Sequence, residues 1–303
     1  MILLLGADPH DAAIAAFAEY LTTHAIPHVV QCDLGRLGFG LDLEGSGRTR
    51  ARLHVPGHGT LHGEEVAVFV RRPRAFAQTG GNSADARFAA REYYAALWSL
   101  CASLPKVINQ PGPQAWPDDC EVRRSLERSV TLPEYWTTDP GRLLERWGAS
   151  ASPEVHVEDL LTRECRIVTD SSDLRSGRLD PTSTHLRAVF APSSRYVVHV
   201  CVGQRSFTVL NESGVDVDAE PHRTLLRDLA DALRRRGIRF FAVALVTDDR
   251  QRLAVSRILP DPPFAWYREH ADAVHERLCA ELAHPFQVDL EATGEHPHHR
   301  ITA

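Results

Sequence analysis

The chain opens on an apolar run at residues 2–5 that stops at Gly6-Ala7-Asp8-Pro9. A short continuous apolar run bounded by turn formers reads as a strand covered on both faces. Asp11 stands ahead of a helical pattern over 12–24, with Ile14, Phe17, Ala18 and Leu21 on one side. Residues 27–32 return as a second strand, and this strand–helix–strand order predicts a parallel α/β sheet. Residues 66–70 form a third buried strand running into Arg71-Arg72-Pro73, and 107–109 a fourth that Pro111 and Pro113 close. Between these two lies a Gly/Asn/Ser loop at 79–83 and a long helix over 84–102. The Gly-rich stretch 35–63 is expected to carry one hairpin, pairing 52–54 with 60–62.

The pattern then changes. A helix is expected over 117–129, and Thr137-Thr138-Asp139-Pro140 reads as a helix start, with a capping residue ahead of a first-turn proline. Short strands follow at 155–157, 165–168, 186–190, 196–202 and 206–210, with Gly203-Gln204 turning the last pair. Residues 169–184 read as a polar loop. A helix over 221–236, strands at 239–247 and 252–259 and a helix over 270–283 complete the pattern. The expected organisation is an N-terminal parallel α/β lobe over 1–114, central and C-terminal α+β lobes over 115–290, and a disordered tail over 291–303.

Composition narrows the chemistry. The 303 residues are 43% hydrophobic and 24% charged, enough for a sizeable core in more than one lobe. A formal net charge of −6 gives no electrostatic case for nucleic acid or an anionic membrane. The longest apolar runs are far too short to span a bilayer, and the start lacks the basic end and cleavage site of a signal peptide. Six cysteines lie far apart without a Cys-x-x-Cys pair, as expected for reduced thiols in the cytoplasm. Of 34 basic residues only Lys106 is a lysine. His54, His58 and His62 are spaced by Pro56, Gly57 and Gly59 and match no helical metal site. Neither a phosphate-binding glycine loop nor a nucleophile elbow is present.

Four segments carry a resemblance: the strand into Arg71-Arg72-Pro73; Val107-Ile108-Asn109-Gln110-Pro111; Leu132-Pro133-Glu134 with Thr137-Thr138-Asp139-Pro140; and the stretch 240–266. In this order they resemble the ATP-grasp ligases that modify ribosomally made peptides, the microviridin-type and related actinobacterial maturases. The resemblance implies an ATP-grasp-like α/β fold and a ligase that activates a carboxylate as an acyl phosphate with ATP and magnesium. In the family, Phe-Gly-Ala-Ile-Asp-Leu precedes Phe-Leu-Glu-Val-Asn-Pro-x-Gly-x-Phe-x-Trp. Here 240–245 reads Phe-Phe-Ala-Val-Ala-Leu, and 255–266 reads Val-Ser-Arg-Ile-Leu-Pro-Asp-Pro-Pro-Phe-Ala-Trp.

On that alignment the family's metal-binding Asp, Glu and Asn fall on Ala244, Arg257 and Leu259. Magnesium needs hard oxygen ligands, and none of these side chains is one. The family's phosphate-binding lysines have no counterpart. Arg123 or Arg124 is the candidate replacement for the first, and the family's substrate-side arginine falls near His199. Asp248, Asp249 and Asp261 are candidate displaced ligands, though their spacing also fits turns. The expectation is a catalytically degenerate protein with no cofactor and no bound metal. It would bind a peptide substrate or leader peptide, or partner an active ATP-grasp ligase, and it would form a homodimer. Arg223, Arg227 and Arg234 are the candidate peptide or partner contacts, in a chain that is acidic overall. The alternative is an active carboxylate–amine or carboxylate–alcohol ligase with a rebuilt site, using ATP and magnesium, with Arg257 holding a phosphate or carboxylate directly.

Overall fold

The computed structural model describes residues 1–6, 8–32, 37–43, 49–71, 84–110, 132, 134–150, 152–159, 165–170, 185–191, 195–247 and 253–283. The expected helix over 117–129, residues 171–184 of the polar loop expected over 169–184, Asp248, Asp249 and the tail over 291–303 lie outside them. The chain divides into two compact units. The first comprises 1–116, 233–239 and 275–303, and the second 117–232 and 240–274.

In the first unit a parallel sheet runs in the order β2-β1-β6-β7, from β1 (Ile2–Gly6), β2 (His28–Gln31), β6 (Ala67–Arg71) and β7 (Val107–Ile108). β1 and β6 are buried at every position, as their unbroken apolar runs demand. Helix α1 (Ala12–Thr23) is capped by the Asp11 carboxylate, which accepts from Ala13 N at 2.9 Å, and buries Ile14, Phe17 and Leu21. The same carboxylate meets Arg71 at 3.3 Å, with both side chains almost fully enclosed. One residue therefore sets the start of α1 and neutralises the charge at the end of β6. Beside this sheet β3 (Gly38–Leu43), β4 (Thr49–Val55) and β5 (Gly59–His62) form an antiparallel sheet. The β4–β5 hairpin turns through Gly57 and Gly59, both at positive φ. β3 joins it although the glycine-rich sequence predicted only the hairpin. α2 (Ala84–Ala102) lies where its periodicity predicts it. Asn109, at positive φ, accepts from Arg239 N through its side chain.

The second unit holds two antiparallel sheets. One has the order β10-β9-β11-β8, from β8 (Glu134–Thr137), β9 (Glu154–Asp159), β10 (Cys165–Val168) and β11 (Leu186–Ala191). Helix α3 (Pro140–Gly148), capped by Asp139, packs Leu143 and Trp147 against Val155, Val157, Leu186 and Ala188. The other has the order β13-β12-β14-β15, from β12 (Tyr196–Val202), β13 (Arg205–Asn211), β14 (Phe240–Thr247) and β15 (Leu253–Leu259). α4 (Glu220–Arg234) separates β13 from β14, and the short α5 (Phe264–Tyr267) and α6 (Ala271–Ala283) follow β15, with α6 from His275 onward belonging to the first unit. Val189 of the first sheet, Val246 and Ala254 of the second, and Leu132 form one core between the sheets, with Tyr196 packed against it. No helix among the described residues is long and apolar enough to cross a membrane.

Candidate functional site

The three positions where the resemblance places metal ligands come together on β14 and β15. Ala244 is the cross-strand partner of Arg257, and Ala242 that of Leu259. Cross-strand partners share a face, and two-residue alternation puts Val246 on the same face as Ala244. Since Val246 packs into the core between the sheets, Ala244, Arg257 and Leu259 lie on the side turned toward the other sheet. Ala244 is 8% exposed and Arg257 half-buried. A guanidinium and two hydrocarbon side chains donate no oxygen, so these three positions supply no magnesium ligand. Among the described residues no three His, Cys, Asp or Glu side chains converge as metal ligands.

A β-bulge at Ala244/Leu245 places Ser256 beside Arg257 without a partner of its own in the ladder. Ser256 reaches across to β9, where its Oγ lies 3.3 Å from Nδ1 of His156. Nε2 of the same imidazole is 3.0 Å from the Tyr196 hydroxyl and 3.3 Å from Glu154 Oε1. Glu154, His156 and Ser256 are all buried. One arrangement satisfies the group: the Ser256 hydroxyl donates to Nδ1, and Nε2–H donates toward Glu154 and Tyr196. Burial raises the Glu154 pKa. This polar cluster fastens the two sheets of the second unit. Sequence reasoning missed it. The only available signal is the alternation in Glu154-Val155-His156-Val157, where the two valines face α3 and the polar pair faces the other sheet.

His199, the candidate substrate contact, lies on the opposite face of its sheet and is 1% exposed. Its Nε2 is 2.7 Å from Nε2 of His222 on α4, and its Nδ1 is 3.3 Å from Thr208 Oγ1. Burial first, and the neighbouring His222 second, lower its pKa to about 4. On α4, Arg223 pairs with Glu220 at 2.9 Å and Arg227 donates to Thr224 at 3.4 Å. Arg234 closes the last turn of that helix. Arg123 and Arg124 lie outside the described residues, and Asp261 follows β15. His54 and His62 stand on β4 and β5, with His54 Nδ1 3.5 Å from Thr60 Oγ1.

No family model and no curated protein matches the chain by sequence. Solved structures do match in fold. The macrocyclase MdnC bound with precursor peptide MdnA, from Microcystis aeruginosa MRC, superposes with a TM-score of 0.62 at 15% identity, over 91% of this chain and 98% of that one. The ATP-grasp ligase PsnB complexed with a phosphomimetic variant of minimal precursor, Mg and ADP gives 0.64 at 14% identity, over 93% and 98%. A RiPP-associated ATP-grasp ligase from Chryseobacterium gregarium, in complex with ADP and a leader and core peptide, gives 0.58 at 11% identity, over 92% and 96%. The chain has the fold of the ATP-grasp ligases.

Proposed function

We propose that this chain is an ATP-grasp-fold protein without ligase catalysis, which binds a peptide or an active partner ligase in peptide natural-product biosynthesis. The observation that carries the reading is the pairing of Ala244 with Arg257 on the face turned toward the other sheet, with Leu259 beside them. The phosphates of a nucleotide are neutralised by magnesium and cations acting together, and these positions supply one cation and no oxygen. Peptide binding is supported by solved structures of the same fold that hold precursor, leader or core peptides. The bulge-side cluster of Ser256, His156, Glu154 and Tyr196 further fills the space between the sheets with side chains bonded to one another.

One observation favours a second reading: Arg257 is only half-buried on that face and so accessible to a phosphate or carboxylate. Under it the chain is a working carboxylate ligase with a rebuilt site for ATP and magnesium. Calorimetric titration with a non-hydrolysable ATP analogue separates the two. The proposal expects no saturable binding with or without magnesium. Magnesium-dependent binding at micromolar concentration, about 8 kcal/mol of affinity, would overturn it in favour of the ligase.

A further inference from the structure

We propose that a groove formed by β8, the first turn of α3 and the start of β11 binds a short acidic peptide segment. It would take a carboxylate side chain on Arg142 and a neighbouring apolar side chain on Trp136. The inference rests on the peptide-binding reading above and assigns that peptide a place and a chemistry.

The groove has a volume of ≈ 350 Å³ and is lined by residues that include Tyr135, Trp136, Thr138, Arg142 and His185. Among the described residues no Asp or Glu lines it. Trp136 is 46% exposed, an unusual position for so large an apolar surface, and among the described residues no other ring packs on it. By its pairing with Arg187, two positions before Val189, Trp136 stands on the face of edge strand β8 opposite α3, so it borders the groove from one side and Arg142 from the other. A tryptophan and an arginine bordering one concavity have the composition of a binding hot spot. Arg142 is exposed on α3, and among the described residues it has no ion-pair or hydrogen-bond partner. Two acids stand three residues away: Asp139 is engaged, accepting from Gly141 N at 2.8 Å as the cap of α3, and Glu145, one turn on along the same helix, makes no ion pair with Arg142. The Thr137 hydroxyl is likewise used, donating to Asp139 O and accepting from Asp139 N. Arg142 is therefore the cation left to meet an incoming charge. It stands within the first turn of α3, whose partial positive charge acts in the same direction.

The arginines of α4 make a weaker claim to the same peptide. Arg223 is held by Glu220, and Arg227 by Thr224, so a ligand must compete with contacts already made. A helix face also buries less of a side chain than a groove does. The size fits two side chains of an extended segment rather than a whole helix.

The test uses the full chain and fluorescently labelled synthetic peptides. One alternates Asp and Glu with Phe and Leu, and its control carries Lys in place of every acid. Wild type should bind the acidic peptide and not the control. Arg142→Glu should weaken the acidic peptide about tenfold or more, the size of one charge-assisted contact, and admit the Lys control. Trp136→Ala should weaken it as well, and Arg227→Glu with Arg234→Glu should leave binding unchanged. Unaltered melting temperatures establish that the variants fold, and Arg142→Gln serves in place of the charge reversal if it does not. Loss of binding in the α4 double variant, with Arg142→Glu and Trp136→Ala binding as wild type does, overturns the groove while leaving peptide binding intact. Failure of the wild type to bind either peptide overturns the groove, whereas the reading without ligase catalysis is overturned by the nucleotide titration.

Discussion

His199 and His222 meet through their Nε2 atoms at 2.7 Å, so one imidazole must donate and the other accept. A second proton on the pair would set two cations in contact in a buried space. His199 faces Thr208 on β13 and His222 on α4, and Asp216 and Asp218 ahead of α4 act on His222. Burial lowers the pKa of both histidines, and the two aspartates oppose it only at His222. A histidine whose folded pKa lies below its unfolded value binds fewer protons in the native state, so stability rises with pH across the interval between the two. For His199 the interval runs from 6.5 down to about 4. The pair's contribution is whole above pH 6.5 and falls away as the solution is acidified toward pH 4, by about 3 kcal/mol for a shift of this size. Melting temperature measured across that interval should decline steeply in wild type and less steeply with His199→Leu and His222→Leu together. Equal slopes would show that other groups carry the acid sensitivity. His199 lies on the strand where the sequence places it, and two-residue alternation sets it on the face opposite Ala244, a facing that the sequence alone does not display.

At the scale of elements, the β14–β15 ladder gives the strongest test of the alignment behind the proposed function. Ala244→Asp, Arg257→Glu and Leu259→Asn together would place three oxygen-bearing side chains on one face of paired strands. Ala244 is 8% exposed, so a carboxylate there without a cation costs about 1–3 kcal/mol. The triple variant should melt below wild type, and magnesium chloride should restore part of the loss while leaving wild type unchanged. Ala244→Asp alone should not respond, because its cross-strand partner Arg257 supplies the counter-charge. A folded triple variant indifferent to magnesium would mean that this strand is aligned out of register. Elements with unbroken apolar runs, such as β1, β6 and β14, were legible because burial on both faces leaves no other reading. β3 was not, since only Phe39, Leu41 and Leu43 mark it among glycines and polar residues. β8 was missed because Glu134–Thr137 is short, follows Pro133 and carries a single inward aromatic pattern, while its pairing with β11 is fixed by residues some fifty positions later.

The whole chain folds as two units with separate cores, and the polar cluster belongs to one of them. Its members come from β9, β12 and β15, and His156 and Ser256 are 100 residues apart in sequence. No spacing rule joins residues that distant, so the feature that fastens the second unit was invisible in the sequence. The physical consequence is local. Removing the imidazole takes from Glu154 and the Tyr196 hydroxyl the bonds seen at 3.3 and 3.0 Å. Each buried polar group left without its bond costs about 1–3 kcal/mol. His156→Leu keeps roughly the volume and removes the bonds, so the loss is electrostatic rather than a cavity. Hydrogen exchange should then accelerate in β9, β11, β12, β14 and β15, which rely on the fastening between sheets. It should stay as in wild type in β1 and β6, whose core contains none of these residues. Opening confined to one set of strands is the signature of a unit that unfolds on its own free energy. Exchange that rose equally in β1 and β6 would show the two units to be a single cooperative system. Unchanged exchange throughout would show that the cluster contributes no net stability, and that its four side chains are held by the packing around them rather than holding it together.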